Sequence, residues 1–349
     1  MSGGGGLPRG LADDAVFIAW GPPAYTNRTR PFAAALNIQV LHVYSTRRRG
    51  ALAALVKYPY QAVATARYLL RRRPSLVFVQ HPPSFTAMVA AVYGALTGAP
   101  FVIDAHSDAF DSPWWSRPRW LQRRIARRAL TTVVTNEHFA ELLRSGGAHA
   151  SIVRDFPTDF DPALYPMGAE LNVAVVATFA PDEPLGEVVA AARELPDVRF
   201  RVTGDTRRED ATIPSSLPPN VELTGFLPAA EYYGLVHGSD AAMVLTTRDH
   251  TMQRGACEAL SLGTPIITSD WPVLRTYFSK GTVHVDNTAA GIRDGVRRLQ
   301  DDLDRYRSEI NELRNDVTAE WDVARAALLE LVLTSPAIVR RYGSLTPAP

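Results

Sequence analysis

Cysteine is nearly absent: Cys257 stands alone in 349 residues, so no internal disulfide can form. The fold must rest on its hydrophobic cores, as suits a reducing cytoplasm. Long apolar runs are also missing. The longest, residues 87–103, is interrupted by Gly94, Gly98 and Pro100, which reads as a helix followed by a strand and excludes a membrane span. The first apolar run, residues 15–20, is too short for a signal peptide and follows a Gly-rich leader with Asp13 and Asp14, so residues 1–14 are expected to be disordered. Net charge is small, +1, but hides an imbalance. Residues 1–170 carry 19 Lys and Arg against 11 Asp and Glu, and the remainder 18 against 25. A basic half favours an anionic partner. No tandem repeat of fixed period is present.

A chain of 349 residues exceeds what one core serves, so two domains are expected. Short β-branched runs at 16–20, 40–44, 76–80, 101–104 and 131–135 alternate with helical segments such as 51–72 and 119–128. That alternation predicts a parallel, doubly wound α/β domain over 15–160. The cycle restarts at 172–178, 200–204, 221–224, 241–245 and 265–268, predicting a second Rossmann-like domain over 170–334. The Pro- and Asp-rich stretch 155–171 is the expected join. In open sheets of this kind, ligands collect at the carboxyl ends of the strands, and the expectation is a crevice between the two domains.

The segment HTMQRGACEALSLGTPIITSD, residues 250–270, carries the most information. It reads as a loop, a helix over 254–262 closed by Gly263, a break at Pro265 and a buried strand, with Glu258 inside the helix. This pattern resembles the donor-site signature of family-four glycosyltransferases with the GT-B fold, in which Glu-x7-Glu precedes Ala-x-Ala-x-Gly-x-Pro. The resemblance implies two Rossmann-like domains and a nucleoside-diphosphate-sugar co-substrate with no other cofactor. It further implies that Glu258 holds the donor ribose and that the amides of Thr251, Met252 and Gln253 meet the sugar and diphosphate. Where the family has its first glutamate this chain has His250, preceded by Asp249; both are candidates for the sugar contact. The resemblance also implies that the chain end, residues 335–349, packs back on the first domain.

Other positions follow from the same resemblance. The family's strand-end histidine, which hydrogen-bonds the transferred sugar, matches His106 in FVIDAHSD; His81 in VFVQHPP is a weaker candidate. Gly204, Gly225 and Phe226 stand at strand ends that face the base, with Arg207 and Arg208 nearby. After the first strand of the second domain the family carries an Arg and a Lys that neutralise the diphosphate, and this chain has Thr178 and Glu183. Developing charge on a departing diphosphate still needs positive groups where no metal supplies them. Arg254, Arg248, Arg28 and Arg30 are the expected replacements, the last two before a helix whose amino end attracts anions. No Asp-x-Asp metal motif occurs in the donor loop.

Residues 112–128, SPWWSRPRWLQRRIARR, set Trp114, Trp115 and Trp120 among six arginines, including Arg123 and Arg124. Tryptophan beside arginine suits anionic lipid head groups better than nucleic acid, so an anionic membrane surface is a further expected partner. Arg47–Arg49 and Arg71–Arg73 extend the patch. The expected activity is retaining, metal-independent hexosyl transfer from a nucleotide sugar to a lipid-linked or cell-surface glycan acceptor, in cell-envelope polysaccharide synthesis. The expected location is the cytoplasm, peripherally at the inner face of the membrane. Two other readings stay open: an inactive GT-B scaffold that binds nucleotide, and a sugar-nucleotide epimerase. Nucleic-acid binding ranks last, because no module motif is present.

Overall fold

The computed structural model describes residues 5–22, 28–45, 51–112, 114–205 and 216–348. The chain forms two compact units, Met1–Asp155 with Trp321–Pro349, and Phe156–Glu320. The first contains α1 (Arg9–Asp13), β1 (Ala15–Ala19), α2 (Thr29–Ala35), β2 (Val40–His42), α3 (Ala51–Arg72), β3 (Leu76–His81) and α4 (Ser84–Thr97). There follow β4 (Phe101–Ala105), α5 (Asp108–Asp111), α6 (Arg119–Ala126), β5 (Thr131–Val134), α7 (Glu137–Ser145) and β6 (Ala150–Ile152). All six strands are parallel in the order β2-β1-β3-β4-β5-β6. Every residue of β1, β4 and β5 is buried, as expected when helices cover both faces of a parallel sheet.

The second unit holds β7 (Leu171–Val176), α8 (Leu185–Arg193), β8 (Val198–Thr203), β9 (Val221–Gly225), α9 (Ala229–Gly238) and β10 (Ala241–Val244). It continues through α10 (Arg254–Leu262), β11 (Ile266–Ser269), α11 (Pro272–Tyr277), β12 (Thr282–Val285) and α12 (Ala289–Asp301). Its six strands are also parallel, in the order β12-β11-β10-β7-β8-β9. Strand order reverses between β7 and β10, which places the ligand crevice of this unit at their carboxyl ends. Helix α13 (Leu303–Leu333) runs through the unit boundary and α14 (Pro336–Tyr342) ends the first unit. Among the described residues no helix is long and apolar enough to cross a membrane.

Two expectations are corrected. The leader is not disordered over residues 5–14: it forms α1 and buries Leu7 and Leu11. Leu7 N–H donates to Leu36 O at 3.0 Å and Ala348 N–H donates to Gly6 O at 3.0 Å. Two well-spaced leucines escape notice behind a Gly run, although each brings about 1.5–3 kcal/mol when buried. Residues 335–349 belong to the first unit, as expected, but the return already begins at Trp321 instead of past Ser335, because Trp321, Leu328, Leu329 and Val332 give α13 a buried stripe. Trp321 meets Phe32 edge-on at 5.9 Å, beside Phe17 and Phe78, on the sheet face opposite α3 and α4. Deleting so large a buried ring leaves a cavity. Trp321→Ala should therefore cost the first unit roughly 3 kcal/mol, seen as a lower denaturant midpoint, with the second unit's transition unmoved.

Candidate active site

In the second unit the helix after β10 does what its spacing requires. Gly263 takes φ 73° and caps α10, and Pro265 stops it from resuming. Ala256, Cys257, Ala259 and Leu260 face the core, which holds α10 against β7 and β10. The approach is tight enough that a Cβ on Gly255 would lie 2.6 Å from Val176 Cγ1. Glu258 is carried inward with them and is 6% exposed. A buried carboxylate needs partners, and Glu258 has two: Tyr232 of α9 donates to Oε2 at 2.7 Å and Arg254 Nε donates to Oε1 at 3.1 Å. Burial, then the Glu258 charge, pushes Tyr232 well above the usual phenol range, so it remains a hydroxyl donor. No hydrogen bond from the N–H groups of Thr251, Met252 or Gln253 occurs among the described residues. Three donors thus lead into the N-terminus of α10, a turn away from the Glu258 carboxylate.

Loop 177–184, after β7, lies on the other side of the switch point. Here the Glu183 carboxylate accepts from Thr178 N–H at 2.9 Å, Thr178 Oγ1 at 2.8 Å and Ala180 N–H at 3.1 Å. Its own anion therefore fills a small nest of backbone donors. Burial outweighs these bonds and raises the Glu183 pKa. Asp182 ties this loop to the one after β10, accepting from Thr246 Oγ1 at 2.8 Å, with Arg248 Nε 3.9 Å away. His250 sits in the left-handed region at φ 58°, and its Nε2 is 3.4 Å from Asp249 Oδ2. Gly204 at φ 130° lies against Ala177 O, where a Cβ would come within 2.5 Å, and its N–H donates to Gly225 O at 3.1 Å. Phe226, just beyond Gly225, is 79% exposed. Arg207 and Arg208 lie outside the described residues, as do Arg47–Arg49.

In the first unit Asp104, fully buried at the end of β4, organises the strand ends. It receives Arg28 Nε at 3.3 Å, while His106 Nε2 stands 3.4 Å away. Arg28 Nη1 also lies 3.1 Å from Asp155, and Nη2 donates to Val153 O at 2.8 Å. The expectation that Arg28 serves donor phosphate is corrected: its guanidinium is committed to two carboxylates and a carbonyl, and only Arg30 of that pair is exposed. Burial works against the Asp104 charge, but Arg28 and His106 outweigh it and lower its pKa. His106 keeps 30% of its side chain exposed. His81 is buried with Nε2 3.1 Å from Ser84 Oγ, and burial, reinforced by His106, lowers its pKa to about 4. Trp114 and Trp120 are 84% and 67% exposed, Arg123 and Arg124 are exposed, and Trp115 packs on Tyr58 at 5.6 Å.

Two family models cover most of the chain: a glycosyl transferase 4-like domain matches residues 9–154 and a glycosyl transferase-like domain matches residues 186–329. The chain belongs to the 4-like glycosyltransferases of the GT-B fold. This glycosyltransferase matches no curated protein by sequence. Among solved structures it is similar to a sucrose-phosphate synthase from Thermosynechococcus elongatus, with 15% identity, TM-score 0.69 and coverage of 91% of this chain and 98% of that one. HepE of Anabaena, solved with UDP-glucose, gives 12% identity, TM-score 0.65 and coverage of 92% and 99%. MnaA of S. aureus, solved with UDP, gives 11%, 0.59, 93% and 97%. At such identities the likeness is one of fold.

Two measurements test the first-unit geometry of this glycosyltransferase. Arg28→Leu strands Asp104 as a buried charge and should cost about 3–5 kcal/mol in urea unfolding. For His81, the folded pKa near 4 lies below the ordinary 6.5, so the unfolded chain binds the extra proton. Stability should therefore be full above pH 6.5 and decline as pH falls toward 4, with a slope of up to about 1.4 kcal/mol per pH unit. His81→Gln should flatten that part of the profile.

Proposed function

We propose that this glycosyltransferase moves a hexose from a nucleoside diphosphate to a lipid-linked or cell-surface glycan acceptor, with retention and without a metal or other cofactor. Glu258 receives the ribose hydroxyls, exchanging its bond from Tyr232 or Arg254 for donor contacts. Thr251, Met252 and Gln253 offer their N–H groups to the diphosphate and sugar. Gly204 and Gly225 leave room for the base, and the exposed ring of Phe226 stacks on it. Arg254, at the first position of α10, turns to the departing diphosphate, with Arg248 of the preceding loop as a second cation. His106 meets the transferred sugar, fixed by Asp104, and the Asp249–His250 pair stands at the position of the family's first glutamate. The acceptor oxygen bonds to the anomeric carbon as the bond to the diphosphate breaks, and the acceptor proton passes to the diphosphate on the same face. The expected location is the inner face of the membrane, held peripherally.

What supports the reading is the buried Glu258 carboxylate in the helix that follows three N–H groups, those of Thr251, Met252 and Gln253, with no hydrogen-bond acceptor among the described residues. Solved neighbours of the same fold hold UDP and UDP-glucose, which favours a nucleotide-sugar donor. One observation favours a second reading, a nucleotide-binding scaffold without turnover. Where related enzymes carry two cations, Thr178 and Glu183 instead close the loop on an internal anion. An epimerase needs acids poised at the sugar ring, which the Glu258 helix does not supply.

Purified protein offered UDP-, GDP-, ADP- and TDP-sugars should turn over one of them, with Glu258→Ala raising KM by roughly 10–100-fold through loss of charged hydrogen bonds. Arg254→Ala should lower kcat by about 100-fold, the scale of one lost transition-state charge contact. Tight binding of one nucleotide without turnover would select the scaffold, and no binding at all would remove Glu258 from the donor site.

A further inference from the structure

Helices α3, α4 and α6 leave an apolar groove open on the first unit. It encloses about 870 Å3, within the range of roughly 300–1,000 Å3 typical of small-molecule sites. Leu55, Tyr58, Phe85, Met88, Trp115 and Leu121 line it. Tyr58, Phe85 and Trp115 pack ring to ring at 5.2, 5.6 and 6.5 Å, which fixes one wall. The groove continues past Ser84, Gln122 and Ile125 into a smaller pocket of about 160 Å3 reached by Arg119 and Arg123. The surrounding surface is unusually apolar for a protein in water: Leu55, Val56, Val63 and Trp114 are 58% to 84% exposed.

Charge decides the occupant. α3, α4 and residues 112–128 together carry ten Lys and Arg and no Asp or Glu. Arg117 lines the groove and Arg119 and Arg123 the smaller pocket, and none of the three has a carboxylate partner among the described residues. Deep in the smaller pocket the Thr132 hydroxyl, 2% exposed, has no hydrogen-bond partner among the described residues. An apolar trough rimmed by unpaired arginines matches an anionic head on a hydrocarbon chain. It does not match a neutral glycan, which would need polar lining, or a nucleic acid, whose bases would not fill an apolar trough.

We propose that the groove holds the hydrocarbon chain of a lipid phosphate, the lipid-linked acceptor of the transfer proposed above, with its phosphate at Arg119 and Arg123. The inference rests on that reading of the acceptor. Burying the chain supplies affinity at about 25 cal/mol per Å2 of apolar surface, and the arginines select the charged head. Trp114 and Trp120 then lie at the level of the lipid head groups.

Dodecyl phosphate below its micelle concentration, titrated into the full chain by calorimetry, should bind saturably at one site, with inorganic phosphate and uncharged dodecyl maltoside weaker by about tenfold or more. Ala62→Trp, which fills the groove, and Trp114→Gln, at a position 84% exposed and safe for folding, should each weaken it by about tenfold. Nucleotide-sugar binding should be unchanged in both. Equal affinity for inorganic phosphate, or undiminished binding of dodecyl phosphate in the two variants, overturns the proposal even if donor turnover persists. A change of oligomeric state in Trp114→Gln with lipid binding intact overturns it too, in favour of a protein partner. Loss of donor binding in the wild type with dodecyl phosphate still seated would instead sink the transferase reading and leave the groove as a lipid site.

Discussion

Both units obey one constraint: a parallel sheet buried on two faces has no place for ligand-facing polar groups except at the carboxyl ends of its strands. Interior residues of β1, β4, β5, β10 and β11 are buried without exception. Chemistry is therefore pushed into the segments that follow them: His81, His106, Gly204, Gly225 and Phe226 stand at strand ends, Asp249 and His250 in the loop after β10, and Arg254 and Glu258 in the helix that this loop enters. The constraint also explains Gly255. A helix that must lie flat on β7 so that Glu258 reaches the strand ends cannot carry a Cβ at its second position.

Within that frame the buried charges divide by what surrounds them. Asp104 and Arg28 satisfy one another, with Asp155 and the Val153 carbonyl completing the set, so this network holds the first sheet's edge loops and leaves only the partly exposed His106 facing outward. Glu258 is also buried, but its partners differ in kind. Tyr232 is a neutral hydroxyl, and Arg254 is a residue of the same helix with 28% of its side chain exposed. Such partners can be exchanged for ligand hydroxyls at lower cost than a guanidinium locked between two acids, since Tyr232 is neutral and the Arg254 side chain already reaches solvent. The Glu183 nest is a third case. Its donors are backbone groups that would suit a phosphate, yet a carboxylate five residues along satisfies them.

Legibility in the sequence followed periodicity. The strands of both sheets that are buried on two faces, and α3 to its terminal residues, could be read from β-branched runs and helical spacing. β6 and β12 could not: they are edge strands of three and four residues, half-exposed, with too few apolar positions to stand out. α1 was hidden because its anchor is two leucines beside glycines rather than a periodic stripe. At the site, Glu258 was legible from Gly263 and Pro265, which fix the end of its helix. Tyr232 was not, because the contact joins α9 to α10 across 26 residues and nothing local marks a tyrosine as the partner of a distant carboxylate. Arg28 was misread for the same reason in reverse: an arginine in a polar loop looks solvent-facing until Asp104 and Asp155, far along the chain, are brought to it.

The opposite charges of the two halves have different structural meanings. In the second unit, acids on the surface are largely matched: Arg293 with Glu194, Arg297 with Asp197, Arg305 with Asp302 and Glu309. Exposed pairs of that kind contribute little to stability, about 0–1 kcal/mol each, and leave no strong local field. In the first unit the excess is concentrated, with arginines of residues 112–128 gathered beside exposed tryptophan and leucine instead of beside acids. Neither feature aids a monomer in water, because exposed apolar area lowers solubility and like charges repel. A surface that carries both at once is complementary to the lipid phosphate proposed above. Among the described residues the excess positive charge of the first half therefore sits in α3 and residues 112–128, and is not a property of the chain as a whole.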